Sequence, residues 1–416
     1  MSVVEAWPTP PLSRRIALAA TMFLVSAVFG FLQPFVPLYL RASGMSLTEV
    51  GLVSCAGAAL ALLGQPLLGR LSDRWDSRRP LMVVAAISAG LAYLGYRGAE
   101  GALAFTALTC IGVNGTLYLN AVGGVLVGRM VGAARGGRAY AGYRVWGSVG
   151  YIVVALLAGA LLAERGGDRL GRADLDPVFT YGPLLFFVIA AVSLFVPDRR
   201  SEAPPPSAPD AGGRAALPEA LRWFLAAYFL YQFGLYGASA YLGIFMKDLG
   251  AGPMWITKMF AAGVVCEVLV MTQVGRFADT YGRRPVLALA FVLMPLRLLC
   301  YIPAQSPGWV VAVQTLHGLN FGIVGALAVV LVNDLAGERE RGVAQARLFS
   351  VAGLAAALGP ALCGWIAERW GIGAMFAAMS AVGAAGAALF LARVPESLPG
   401  ARALPGWRAL MGRHSR

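Results

Sequence analysis

Charge is scarce in this 416-residue chain: Asp, Glu, Lys and Arg together make up 13% of it, against 58% hydrophobic residues. With a mean hydropathy of +0.68, that scarcity excludes a water-soluble domain and places the chain in the membrane class. Acidic residues number 21 and histidines only 2. No nucleophile–base pair, metal-ligand spacing or phosphate loop occurs, and the loops are too short to hold a catalytic domain, so neither an enzyme nor a cofactor is expected. The five cysteines, Cys55, Cys110, Cys266, Cys300 and Cys363, all fall in apolar runs at spacings that match no zinc or redox motif, which argues against a disulfide framework. The start of the chain lacks a short apolar stretch followed by a small-residue cleavage site, so no removed signal peptide is expected.

Long apolar runs are what the chain has in abundance. They lie near residues 15–40, 47–69, 80–97, 102–128, 140–163, 177–196, 219–246, 253–275, 285–304, 308–332, 343–367 and 371–392. Each is close to the ~20 residues that cross ~30 Å of hydrocarbon as a helix. The runs therefore predict an all-α integral membrane protein of twelve spans, each satisfying its own backbone hydrogen bonds. With the first end cytoplasmic, Arg14, Arg15, Arg70, Arg74, Arg78, Arg79, Arg129, Arg135, Arg138, Arg199, Arg200, Arg276, Arg283, Arg284, Arg339, Arg341 and the tail from Arg393 collect on one side. The other side keeps chiefly Arg41, Arg97, Arg165, Arg169, Arg172, Lys247 and Arg369. Retention of positive charge in short cytoplasmic loops then predicts both termini in the cytoplasm and an inner-membrane location. It also explains the net charge of +13 through anionic lipid, without nucleic acid.

The segment PDRRSEAPPPSAPDAGGRAALPE, which begins at Pro197, has no apolar stripe and reads as a cytoplasmic linker. It divides the chain into a first unit, 1–196, a linker, 197–218, and a second unit, 219–416, that ends in a short cytoplasmic tail. A weak repeat supports the division. GRLSDRWDSRRP starts at Gly69 and GRFADTYGRRP at Gly275; LLAERGG ends at Gly167 and WIAERWG at Gly371. The offsets, 275 minus 69 and 371 minus 167, are 206 and 204, and near-equal offsets indicate duplication. Paired six-helix halves with a site between them suit alternating access.

Ionisable groups deep in a span cannot reach the interface as those near helix ends can. Glu267 lies ~12 Å from the cytoplasmic end of helix eight and Arg297 ~18 Å along helix nine, with His317 at a similar level of helix ten. These three can neutralise and hydrogen-bond one another, either as an inert triad or as a proton pathway. Polar stripes add Gln314, His317 and Asn320 on helix ten; Tyr228, Gln232, Tyr236 and Ser239 on helix seven; and Tyr140, Arg144 and Tyr151 on helix five. Such stripes are either helix-to-helix glue or the wall of a polar-ligand cavity. Gln33 beside Pro34 and Pro37 marks a kink in helix one, and the small residues of VNGTLYLNAVGG, which include Asn114, permit close packing of helix four. Lys258 falls near an outer helix end and reads as snorkelling, while Asn333 and Asp334 read as a cap or loop contact.

The doubled loop motif resembles the signature between helices two and three of the major facilitator superfamily. It is carried by Gly69, Leu71, Asp73, Arg78 and Arg79, with Asp76 in place of the second Gly, and again by Gly275, Asp279, Gly282, Arg283 and Arg284. The resemblance covers essentially the whole chain and implies the twelve-helix major facilitator fold of two pseudo-symmetric bundles. It further implies that the loop charges form cytoplasmic-side contacts that break when the halves rock. YRVWGSVGY, PLRLL and QTLHGLNFG are similar to segments of the lactose permease type of proton symporter and its phenylpropionate and nucleoside permease-like neighbours. That likeness implies solute binding by Arg144 and Tyr151 and coupling by Glu267, Arg297 and His317. The chain departs from the pattern where GGVLVG lacks the helix-four Glu that pairs with the helix-five Arg, where Gln314 replaces a Lys and the helix-seven Asp is missing, and where Asn320 stands for a coupling Glu.

The expectation is a secondary transporter that works as a monomer in a lipid bilayer and imports a small polar organic solute with a proton. Glu267, Arg297 and His317 would couple. Arg144, Tyr151, His317, Asn320, Gln314, Gln232, Tyr236, Gln33 and Asn114 would bind solute. Gly69, Asp73, Arg78, Arg79, Gly275, Asp279, Arg283 and Arg284 would gate. The alternatives are a drug/proton antiporter and, from another class, a ligand sensor on a carrier scaffold.

Overall fold

A computed structural model describes residues 12–75, 77–131, 136–196, 217–338, 340–398 and 400. Those residues are almost entirely helical. In chain order the elements are α1 (Leu12–Leu32), α2 (Val36–Ala42), α3 (Leu47–Arg74), α4 (Arg79–Gly95), α5 (Gly101–Val131), α6 (Gly136–Gly166) and α7 (Arg172–Ser193) in the first half. The second half comprises α8 (Glu219–Ser239), α9 (Leu242–Asp248), α10 (Pro253–Tyr281), α11 (Arg283–Tyr301), α12 (Pro307–Leu335) and α13 (Arg341–Arg393). Among the described residues ten helices are long and apolar enough to cross a membrane. One of these, α13, turns at Gly371 (φ 84°) into two spans in series. The twelfth span is α8 with α9, whose hydropathy is lowered by Tyr228, Tyr231, Gln232 and Tyr236. The predicted kink in helix one is the break between α1 and α2, where Pro34 lies within the turn and Pro37 in the first turn of α2.

The duplication is visible in local contacts. In each half the second Arg of the loop motif ties the start of the third span to the end of the sixth. Arg79 Nη2 donates to the Val196 carbonyl at 2.6 Å, and Arg284 Nη2 to that of Leu391 at 2.7 Å. Only the second copy of the loop has its glycine, Gly282, and the residue adopts φ 101°, a conformation costly for other residues. The Glu396 carboxylate lies where a β-carbon would be and accepts from the backbone N–H groups of Arg283 and Arg284, capping α11.

The two halves meet along α3 with α13 and along α6 with α10. Near the end opposite the loop motifs the seam is tight. Gly51 and Gly364 admit Pro360, Leu47 and the Tyr241 hydroxyl at distances that leave no room for a β-carbon, and Gly159 does the same for Thr257. There the Leu47 N–H donates to Glu368 Oε2 at 2.5 Å, and the Tyr241 hydroxyl donates to the carbonyls of Leu47 (3.1 Å) and Pro360 (2.8 Å). Towards the loop-motif end, a cavity of about 680 Å³ lies beside α3, lined by Leu67, Arg70, Leu71 and Arg74.

Candidate functional site

The first polar contact across the middle of the seam is an ion pair. Arg144 Nη2 on α6 lies 3.8 Å from Glu267 Oε1 on α10, with the arginine side chain 50% exposed and the carboxylate 11%. Close packing fixes both helices. Gly147 and Gly150 bring α6 against Ser26 and Phe23 of α1, and Gly318 and Gly322 bring α12 onto the backbone of Cys266 and Glu267. These last two glycines form the small-xxx-small pattern that allows membrane helices to touch. Tyr151, two turns along α6 from Arg144, donates its hydroxyl to Gln33 Oε1 at 3.3 Å. Arg144, Tyr151, Gln33 and Glu267 are thus brought together around the seam.

Arg297 and His317 form a separate unit. Arg297 is fully buried, and its Nη1 lies 2.7 Å from His317 Nδ1. A guanidinium has no acceptor, so Nδ1 accepts and the imidazole is neutral, with its proton on Nε2. Among the described residues the Arg297 Nε and Nη2 groups have no hydrogen-bond partner. The Tyr301 ring lies 6.0 Å from the guanidinium, and His317 stacks on Phe321. The expected mutual triad is therefore not what forms. Among the described residues no ion pair joins Glu267 to Arg297 or His317; Glu267 faces the other half instead. The departures from the family pattern are consistent with this: GGVLVG offers no helix-four Glu to pair with Arg144.

The polar stripe of α12 faces α11 residue by residue. Gln314 accepts from the Tyr301 hydroxyl, His317 from Arg297, and Asn320 Nδ2 donates to the Ala290 carbonyl at 2.8 Å. Because the helices run antiparallel, three polar residues at i, i+3 and i+6 meet Tyr301, Arg297 and Ala290 in reverse order. Asn320 is fully buried and its own carbonyl accepts from Tyr231. Gln232 donates to the Tyr228 hydroxyl at 2.8 Å within α8, and Tyr236 is half-buried one turn further on. Asn114 bonds back to the Cys110 carbonyl, its backbone carbonyl accepts from Gln65, and its side chain fills the space beside Gly64. Gln314, Asn320, Gln232 and Asn114 thus engage neighbouring helices or their own turn, as interhelical glue does.

The loop motifs lie far from this centre. Arg283 Nε is 2.7 Å from Asp334 Oδ2, which also accepts from Ser397, and Arg283 approaches the exposed Asp279 at 3.9 Å. The contacts of Arg283 with Asp334 and Asp279, and the carbonyl contacts of Arg79 with Val196 and of Arg284 with Leu391, each lie within one half. Gly69 and Gly275 meet nothing that a β-carbon would disturb, and Arg78 is half-buried at the start of α4. The side chains of Asp73 and Tyr140 and the whole of Asp76 lie outside the described residues, as does the 197–216 part of the linker. Sequence reasoning missed the seam residues Tyr241 and Glu368, although the repeated Ala-Glu-Arg segment contained the second.

Residues 15–379 match the sequence model of the MFS_1 like family. The chain is 24% identical over 413 residues to an uncharacterized MFS-type transporter of Mycobacterium tuberculosis, covering 94% of each chain. It is 26% identical over 374 residues to the maltose permease of Geobacillus stearothermophilus, covering 88% of this chain and 90% of that one. A mutant of the nucleoside transporter NupG shares the fold with a TM-score of 0.77 at 15% identity, over 92% of this chain and 100% of that one. With twelve spans in two related bundles and a match over most of its length, the chain belongs to the MFS_1 like family of major facilitator transporters and is a multi-pass membrane transporter.

Proposed function

We propose that this transporter imports a small polar organic solute together with a proton. The observation that carries the reading is the Arg144–Glu267 pair, an ion pair between the two halves. Its partners must separate or exchange when the halves rock, so whatever occupies them is linked to the motion. In this reading Glu267 takes the proton and Arg144 and Tyr151 hold the solute. The buried Arg297–His317 unit sets the potential around the carboxylate. Residues 1–196 and 219–416 move as the two bodies, joined by the linker, in a monomer. The arginine-rich end and both termini lie on the cytoplasmic side of the inner membrane. Relatives named for maltose and nucleosides support a polar organic solute as cargo.

The test is uptake into sealed vesicles from a broad solute panel, with and without an imposed pH gradient. Accumulation should require the gradient and be lost in Glu267→Gln, which mimics the protonated side chain. Gradient-driven accumulation that survives this substitution would refute the coupling role, and outward transport under the same gradient would favour the antiporter.

A further inference from the structure

The charges at the seam do not balance, and that imbalance points to the cargo. Two units on neighbouring helices, the Arg144–Glu267 ion pair and the Arg297–His317 hydrogen bond, together hold, among the described residues, two guanidinium groups, one carboxylate and one imidazole. The imidazole is neutral because its Nδ1 accepts from Arg297. The empty site therefore carries one net positive charge when Glu267 is ionised. Arg297 contributes the excess: it is fully buried, with two nitrogens that lack a hydrogen-bond partner among the described residues.

Consider what loading does to this sum, taking the proton-coupled reading above as given. A neutral solute with a proton on Glu267 would raise the sum from one to two net charges, and the loaded carrier would have to rock with neither guanidinium group facing an anion, Arg297 among them fully buried. A monoanion with a proton leaves the sum as it was, so the loaded and empty carriers cross the same barrier. The Arg144 geometry suits this exchange. Its guanidinium is half exposed, its fork can take a carboxylate in two parallel hydrogen bonds, and its present bond to Glu267, at 3.8 Å, is too long to be a strong hydrogen bond.

We propose that the cargo is a small organic monoanion whose carboxylate displaces Glu267 from Arg144, so that the released Glu267 takes up the co-transported proton. The carboxylate and the proton bind and leave as a neutral pair; no covalent bond changes.

The experiment uses the full-length chain in proteoliposomes and a panel of aliphatic and aromatic monocarboxylates, each paired with its primary amide, plus neutral sugars and nucleosides. A membrane potential is imposed with potassium and valinomycin independently of the pH gradient. Expected is gradient-driven uptake of one or more carboxylates at a rate the potential does not alter, with at least a thirtyfold lower rate for the matching amide. Arg144→Gln should abolish carboxylate binding, read as the ligand-induced rise in melting temperature of the solubilised protein, and Arg144→Lys should restore part of it. Gradient-driven uptake of a neutral solute that speeds up at inside-negative potential would overturn the anion assignment while leaving the symporter reading intact. Uptake of a carboxylate without any dependence on the gradient would overturn the coupling reading instead. A panel in which amides stabilise the protein as well as their acids would refute the role given to Arg144.

Discussion

Removing the Glu368 carboxylate should loosen the closed end of the molecule. The Leu47 N–H belongs to the first turn of α3, where backbone donors lack partners within the helix. Glu368, from the other half, fills that vacancy at 2.5 Å. A hydrogen bond to a charged group contributes about 1.5–3 kcal/mol net, and an anion at a helix N-terminus about 0.3–1 kcal/mol. Glu368 is exposed, so the lower end of the first range is appropriate, about 1.5 kcal/mol. The contact exists only while this end is shut, so the whole of it biases the equilibrium between the two orientations. About 1.4 kcal/mol is a factor of ten. Glu368→Ala should therefore shift the population towards opening at this end by roughly tenfold, and Glu368→Gln, which keeps the acceptor without the charge, by less. Spin labels at Glu100 and Gln305, exposed positions of the two halves, report the opening as a longer distance in double electron–electron resonance. An unchanged distance distribution in a Glu368→Ala protein that melts as the parent does would refute the argument, leaving Tyr241 and the glycine packing as the seal.

Other consequences are simpler. Asn320→Leu removes the bond to the Ala290 carbonyl and should cost about 1–2 kcal/mol of stability, seen as a lower melting temperature, with the solute concentration for half-maximal uptake nearly unchanged; a large change there would return Asn320 to the solute site. Gly318→Val would drive two methyl groups into the Cys266 backbone and should cost at least about 1–3 kcal/mol, read as loss of the monodisperse peak in size-exclusion chromatography. Normal folding of that variant would contradict the close approach of α10 and α12.

The sequence conveyed the fold class because the bilayer leaves so few options: a run of about twenty apolar residues crosses it as a helix, and the duplicated loops mark two related halves. The residues of the candidate site stand out in the sequence too, since Arg144, Glu267, Arg297 and His317 are rare ionisable groups in an apolar chain. Their pairing was not. A one-dimensional reading puts Glu267, Arg297 and His317 on consecutive helices and joins them, whereas the helix rotations set by Gly318 and Gly322 aim Glu267 across the seam. Likewise the i, i+3, i+6 stripe on α12 specifies one polar face without saying whether that face meets a neighbour or a cavity. The backbone of α11 decides it.

The repeat carries one more consequence, because its two copies cannot perform the same task at the closed end. Glu164 and Glu368 hold matching places in the two Ala-Glu-Arg segments, and α3 and α10 begin at matching places with Leu47 and Pro253. Two-fold symmetry would have Glu164 cap α10 as Glu368 caps α3. Proline has no N–H to donate, and it is favoured at the first helical position because none is needed there. Glu164 remains exposed, and the start of α10 instead meets Asp168, which sits against Gly252. That flank is sealed by shape, through Gly159 on Thr257, and the other by a charged hydrogen bond. The two glutamates therefore give a clean comparison. Glu164→Ala should leave the Glu100–Gln305 label distance unaltered under conditions where Glu368→Ala lengthens it. Equal lengthening in both variants would mean that charge at this end acts through the general field and not through the cap on α3.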